Sequence, residues 1–166
     1  MNLRLFGVSK ESIVDGPGIR YAIFTQGCPH NCPGCHNPES HSFTDGYLAD
    51  TGVLLAEIKA NPLLDGVTFS GGEPFMQAGE LAELASEVKK LGLNVLVYTG
   101  YTFEELTSQL HRPGWLELLS KTDILIDGRF EATEQSYDLR FRGSKNQRAL
   151  NLPDSLACGS AVACNL

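Results

Sequence analysis

The stretch Ile19-Arg-Tyr-Ala-Ile-Phe-Thr-Gln-Gly-Cys-Pro-His-Asn-Cys-Pro-Gly-Cys-His36 decides how this chain folds. Residues 19–25 are β-branched, aromatic and apolar, which predicts a strand, and Asp15-Gly-Pro-Gly18 ahead of them is turn chemistry. The strand runs straight into Cys28, Cys32 and Cys35, spaced C-x3-C-x2-C. Three thiolates this close can share one metal centre. Iron–sulfur clusters ordinarily take four cysteines. A four-iron cluster held here with no fourth side chain would leave one iron open, and an open position separates a reactive metal site from a structural one. The competing reading is zinc, with His30 or His36 completing a Cys3His site. Pro29 and Pro33 stiffen the free loop and lower the entropy lost when it closes around a metal.

Downstream, strands and helices alternate. A helix is predicted over about residues 50–60, with Leu54, Leu55 and Ile58 apolar and Pro62 closing it. Residues 66–70 read as a second strand. Leu81, Leu84, Ala85, Val88 and Leu91 then recur at helical spacing, and Gly92 is placed to end that helix. Residues 93–98 form a third strand. Thr102 with Glu105 makes a capping box for another helix, Pro113-Gly114 interrupts it, and residues 115–119 continue helically. Residues 123–126 are the fourth strand. Such alternation implies parallel strands with crossover helices. Four units do not close an eight-fold barrel, so a partial barrel or an open parallel sheet is expected.

This order has a chemical consequence. The cysteine loop, Gly71-Gly-Glu-Pro74, Thr99-Gly100 and Asp127-Gly128 each follow a strand directly. In a parallel sheet the C-terminal strand ends share one rim, where α/β proteins bind ligands. Four segments distant in sequence are therefore expected to line one pocket. Gly71-Gly-Glu-Pro74 reads either as a tight turn before a helix or as an ammonium site, with backbone carbonyls and the Glu73 carboxylate as acceptors. Asp127 is either a turn residue or a ligand for a ribose hydroxyl or a cation. His36 caps the loop or stacks on a base.

Composition narrows the class. The chain has 166 residues, 42% hydrophobic and 20% charged, enough for one domain with its own core. A net charge of −7 argues against general nucleic-acid binding. No apolar run is long enough to span a membrane, and the N-terminus lacks a signal-peptide core, so a cytoplasmic protein is expected. Five cysteines, three of them clustered, suit a metal or redox site better than a disulfide framework. Residues 140–148 concentrate positive charge, either as a solvated loop or as a docking strip for an acidic partner. Cys158 and Cys164 lie in a small-residue tail with no assigned role.

The cysteine motif, followed one βα unit later by Gly71-Gly-Glu-Pro74, resembles the radical S-adenosylmethionine superfamily. Within it, Asp15-Gly-Pro-Gly-Ile-Arg20, Gly27-Cys-Pro-His-Asn-Cys-Pro-Gly-Cys-His-Asn37 and Phe141-Arg-Gly-Ser-Lys-Asn-Gln-Arg148 resemble the glycyl-radical-enzyme activases that serve anaerobic ribonucleoside-triphosphate reductase. Pyruvate formate-lyase activating enzymes share the opening motifs and are longer. The resemblance implies a partial (β/α) barrel with a mostly parallel sheet over residues 1–152, and a tail, 153–166, of unknown role. It implies a [4Fe-4S] cluster on Cys28, Cys32 and Cys35, with S-adenosylmethionine chelating the fourth iron through its amino and carboxylate groups. Gly72 and Glu73 would anchor the amino end, and Gly71 and Asp127 are expected among the cofactor-binding residues. Many members place an aromatic residue before the third cysteine to pack on adenine. This chain has Gly34 there, and His36, just after Cys35, would compensate, with Gly34, Cys35 and His36 all expected to bind the cofactor. Reductive cleavage would give methionine and a 5′-deoxyadenosyl radical that takes hydrogen from a glycine. The implied partners are the large, glycyl-radical subunit of the reductase and a low-potential electron donor, with no catalytic side chain beyond the cluster, no nucleic acid and no membrane.

Overall fold

A computed structural model describes residues 1–166, and seven strands join in one sheet. In chain order they are β1 (Asn2–Ser12), β2 (Arg20–Thr25), β3 (Tyr47–Asp50), β4 (Gly66–Gly71), β5 (Asn94–Tyr98), β6 (Ile124–Asp127) and β7 (Arg148–Asn151). The sheet order is β3-β1-β2-β4-β5-β6-β7. The central strands β2, β4, β5 and β6 run parallel. Antiparallel strands border them, β1 and β3 on one side and β7 on the other. The architecture is mixed α/β with a parallel centre, as the alternation predicts.

The two faces of the sheet differ because side chains alternate along each strand. On one face, Tyr21, Ile23, Val67, Phe69, Val95, Val97 and Leu125 join the main core. Helices α1 (Thr51–Ala60), α2 (Ala78–Lys90), α3 (Phe103–Thr107) and α4 (Trp115–Lys121) contribute apolar residues to that core. Helix α2 buries Leu81, Leu84, Ala85 and Val88, four of the five residues its periodicity singled out; the fifth, Leu91, lies just past its end and is exposed. Thr102 caps α3 with the full reciprocal box.

The other face holds a small cluster of Leu96, Ile126 and Ala149 beside Tyr98 and Phe141. It also holds a fully buried arginine, Arg20. Its Nε donates to Thr68 Oγ1 at 2.7 Å, Nη1 to the Pro17 carbonyl at 3.0 Å, and Nη2 to the Val67 carbonyl at 2.9 Å and Asn94 Oδ1 at 2.6 Å. Burial draws the guanidinium pKa down to about 10, so it stays charged at neutral pH. Thr68 passes the link on, donating to the Asp15 carbonyl at 2.7 Å. Arg20 thereby fastens the turn at residues 15–18 across β4 and β5.

Three strands escaped the sequence reading. β3 and β7 have four residues each and carry no alternation, and β1 keeps only Leu3, Leu5 and Ser12 buried. Their pairing partners, not their own patterns, make them strands. The tail is also more ordered than composition suggests. After helix α5 (Leu152–Cys158) it doubles back along β7. The Asn151 amide donates to the Val162 carbonyl at 2.8 Å and the Cys164 amide to the Ala149 carbonyl at 2.9 Å.

Arg20→Ala leaves several buried acceptors unpaired. It is expected to lower the unfolding free energy by about 3 kcal/mol, read from chemical denaturation of the metal-free protein. A change within error of zero would show that Arg20 does not hold this face together.

Candidate active site

The strand ends meet as the alternation requires. A cavity of about 420 Å³ is lined by Cys28, Cys32 and Cys35 from the loop after β2, and by residues 70–72 from the end of β4. Thr99-Gly100 after β5 and Gly128 after β6 complete the rim. The volume falls in the range of small-molecule sites.

Two glycines make this meeting possible. Gly71 has φ +93°, and a Cβ there would lie 2.5 Å from the Thr25 amide nitrogen. A Cβ on Gly72 would lie 2.4 Å from the Gly27 carbonyl oxygen. The backbones are instead joined: the Gly72 amide donates to the Thr25 carbonyl at 2.7 Å and the Glu73 amide to the Gly27 carbonyl at 2.8 Å. Any larger residue would push the cysteine loop off the end of β4. On its far side the loop is held by amide bonds from Gly27 to Ser40 at 2.6 Å and from Cys28 to His41 at 3.1 Å.

The three thiols are partly buried and unpaired. Desolvation pushes Cys28 up to about 11, partly offset by the His30 amide. Cys32 is also raised, by burial first and by neighbouring Cys35 second. Metal binding must displace these protons. The Asn37 amide donates to Cys35 Sγ at 3.5 Å, the kind of bond that tunes an iron–sulfur centre. No three His, Cys, Asp or Glu side chains converge closely enough to hold a single ion. Three thiols around one roomy cavity fit a four-iron cluster, in which each thiolate takes its own iron. The zinc reading needs a histidine beside them, and both histidines are engaged elsewhere. His30 Nε2 donates to Glu73 Oε1 at 2.6 Å, and His36 packs on Phe130 with ring centroids 4.9 Å apart.

Both carboxylates expected to face a ligand turn inward. Glu73 is 0% exposed and does not line the cavity. Besides His30, its oxygens accept from Thr99 Oγ1 at 2.9 Å, the Gly100 amide at 2.8 Å and the Phe75 amide at 3.0 Å. Asp127 is likewise 0% exposed. It accepts from the Phe103 amide at 2.7 Å and from the Arg148 guanidinium, whose pKa it raises further above its ordinary value. Buried carboxylates need such partners, and here the protein supplies them all. Gly34 does not line the cavity; it has φ +73°, and a Cβ there would stand 3.5 Å from the Phe130 ring. Cys35, His36, Gly71 and Gly72 do line the cavity.

Sequence reasoning missed the remaining wall. Phe24, Tyr98, Phe130 and Phe141 give it an aromatic surface, and Arg142 and Gln147 add polar groups. Phe130, Phe141, Arg142 and Gln147 come from the long loop between β6 and β7. Tyr98 Oη donates to the Phe141 carbonyl at 2.6 Å, and Phe141 takes a left-handed φ of +62°. The basic segment thus folds over the site. Its clustered charge and its likeness to the activases were legible, but neither gave a hint of which residues turn inward.

A family profile described as a 4Fe-4S single cluster domain matches residues 14–150. The anaerobic ribonucleoside-triphosphate reductase-activating protein of Enterobacteria phage T4 is 32% identical over 149 residues, covering 86% of this chain and 90% of that protein. The protein of that name from Pasteurella multocida is 37% identical over 145 residues, 81% of this chain and 89% of its relative. A pyruvate formate-lyase-activating enzyme of Staphylococcus aureus is 34% identical over 160 residues, 92% of this chain and 62% of that enzyme.

Glu73→Ala orphans donors on three loops at once. It is expected to cost about 3 kcal/mol of metal-free stability, read by denaturant unfolding. Unchanged stability, with only ligand binding lost, would return Glu73 to the role of ligand contact.

Proposed function

Because the chain belongs to the family of anaerobic ribonucleoside-triphosphate reductase-activating proteins, carried on a 4Fe-4S single cluster domain, we propose that it is the activase of such a reductase. It is a radical S-adenosylmethionine enzyme that uses a [4Fe-4S] cluster to place a glycyl radical on the reductase large subunit. The observation that carries this reading is the shared cavity, where three thiols face the glycine-built ends of β4 and β5.

Cys28, Cys32 and Cys35 would hold three irons, leaving the fourth for the amino and carboxylate groups of S-adenosylmethionine. When bound, the pair supplies a one-electron reductive cleavage and the hydrogen abstraction that follows from it. The chain's own residues bind, orient and exclude water. Carbonyls at Gly71 and Gly72 suit an ammonium group, since the close backbone contact leaves no side chain to block it. His36 and Phe130 offer packed rings for adenine. Glu73 acts at one remove, holding His30, Thr99 and Gly100 in register. Asp127 does the same for the turn at Gly128, through Arg148 and the start of α3. Phe24, Phe130 and Phe141 form the apolar wall that keeps water from the reacting centre.

The partial (β/α) barrel belongs to this reading. The four parallel strands present their C-terminal ends to the cavity, and the open sheet leaves room for a glycine-bearing loop of the partner. A cytoplasmic setting and a low-potential electron donor belong to it as well. Five unpaired cysteines suit a reducing compartment, and no helix is long and apolar enough to cross a membrane. The similarity to a pyruvate formate-lyase-activating enzyme supports a second reading, the same chemistry on a different glycyl-radical partner.

The test is anaerobic reconstitution with iron and sulfide, followed by dithionite and S-adenosylmethionine. The expected product is 5′-deoxyadenosine, and Cys32→Ala should abolish it while circular dichroism shows an intact fold. Product from the Cys32→Ala protein would refute the ligand assignment. A colourless protein carrying zinc and no iron would establish a non-catalytic zinc module instead. Mixing the reduced enzyme with each candidate partner, and recording the glycyl signal by electron paramagnetic resonance, identifies which one accepts the radical.

A further inference from the structure

Three arginines stand at or beside the cavity wall, and two have acid partners. Arg129 pairs with Glu105 at 3.3 Å, and Arg148 pairs with Asp127 and with Glu104, the latter at 2.9 Å. Arg142 lines the cavity and pairs with no carboxylate. Its Nη1 donates to the Gln147 carbonyl at 3.2 Å. Its Nε is buried with no acceptor, one of two buried side-chain polar atoms in the chain left without a partner, the other being Asn146 Oδ1 in the same loop. A buried N–H with nothing to bond is costly and calls for an explanation.

The backbone around this guanidinium is fixed. Gln147 Oε1 accepts from the Gly143 amide at 2.9 Å and the Ser144 amide at 3.1 Å, and its Nε2 donates to the Gly128 carbonyl at 3.1 Å. Gly143 lies hard against Phe130 of the same loop and in contact distance of His36, since a Cβ there would stand 3.0 Å from the Phe130 ring and 3.5 Å from His36. The other charged or basic groups of the cavity are engaged. Asp15 accepts the Ser12 hydroxyl, His30 is bound to Glu73, His36 packs on Phe130, and Arg129 holds Glu105.

We propose that Arg142 is the carboxylate-binding residue of the cavity and takes the α-carboxylate of the methionine end of S-adenosylmethionine. The inference rests on the proposed function and adds a residue to it. The glycine carbonyls at residues 71–72 accept hydrogen bonds and so favour the ammonium group and disfavour the carboxylate. The aromatic wall suits adenine. The carboxylate is left for the one cation without a partner, whose planar fork matches it. A carboxylate that also met the cluster would keep an oxygen free for the guanidinium.

Equilibrium binding of S-adenosylmethionine and of its decarboxylated analogue, to reconstituted wild-type, R142Q and R142K proteins at matched iron content, tests this. R142Q is expected to weaken S-adenosylmethionine about tenfold or more, as for loss of a charge-assisted contact. The analogue, which keeps the ammonium and sulfonium groups, should change by less than about twofold. R142K, which keeps the charge without the fork, should fall between. Equal losses for both ligands, no loss for either, or a defect confined to cluster loading would overturn the role of Arg142. Failure of the wild-type protein to bind either ligand would bring down the activase reading as well, which the other outcomes leave standing.

Discussion

The Glu73 carboxylate is the joint on which the site depends. It is buried without a lysine or arginine beside it, and its stability rests on hydrogen bonds alone. Those bonds reach the cysteine loop through His30, the end of β5 through Thr99 and Gly100, and its own helical turn through Phe75. A carboxylate so placed is costly if any donor withdraws. The arrangement therefore holds in one relative position the loops that continue beyond the paired strands β2, β4 and β5.

That joint sits at the boundary between two unlike faces of one sheet. The helix-covered face is a continuous apolar core, rich in leucine and valine, and it accounts for the burial of α2 and α4. The opposite face is thinner and partly polar. Arg20 crosses it with bonds to β4 and β5, and so ties the glycine-rich turn before β2 to the strands behind the cavity. Val14 and Asp15, at the edge of that turn, contribute to the cavity wall. A packed core on one face and a cavity with fastened walls on the other is what a preorganised cofactor site requires.

The loop between β6 and β7 closes the space from a third side. It carries few regular hydrogen bonds of its own and is organised by side chains, chiefly Gln147, Asn146 and Ser144. Phe141 is held in a left-handed conformation by Tyr98, which brings its backbone and ring to the wall. Strained residues of this kind gather at functional sites. Arg129 fastens the loop to α3, Arg148 at the start of β7 binds α3 and β6, and Arg142, with no acid partner, faces the site.

The sequence by itself determined the parallel centre of the sheet, the gathering of four loops on one rim, and the grouping of Cys28, Cys32 and Cys35. Those features follow from periodicity, turn residues and spacing, all of which act within a few residues. Only the tertiary structure decided where Glu73 and Asp127 point, because their partners on other elements lie 21 to 43 residues away. It alone made strands of β3 and β7, four residues each, through pairing with neighbours. It alone set Arg148 of the basic segment against acids and turned Arg142, which pairs with none, to the cavity, since a charge declares its role through what packs against it and not through its own type.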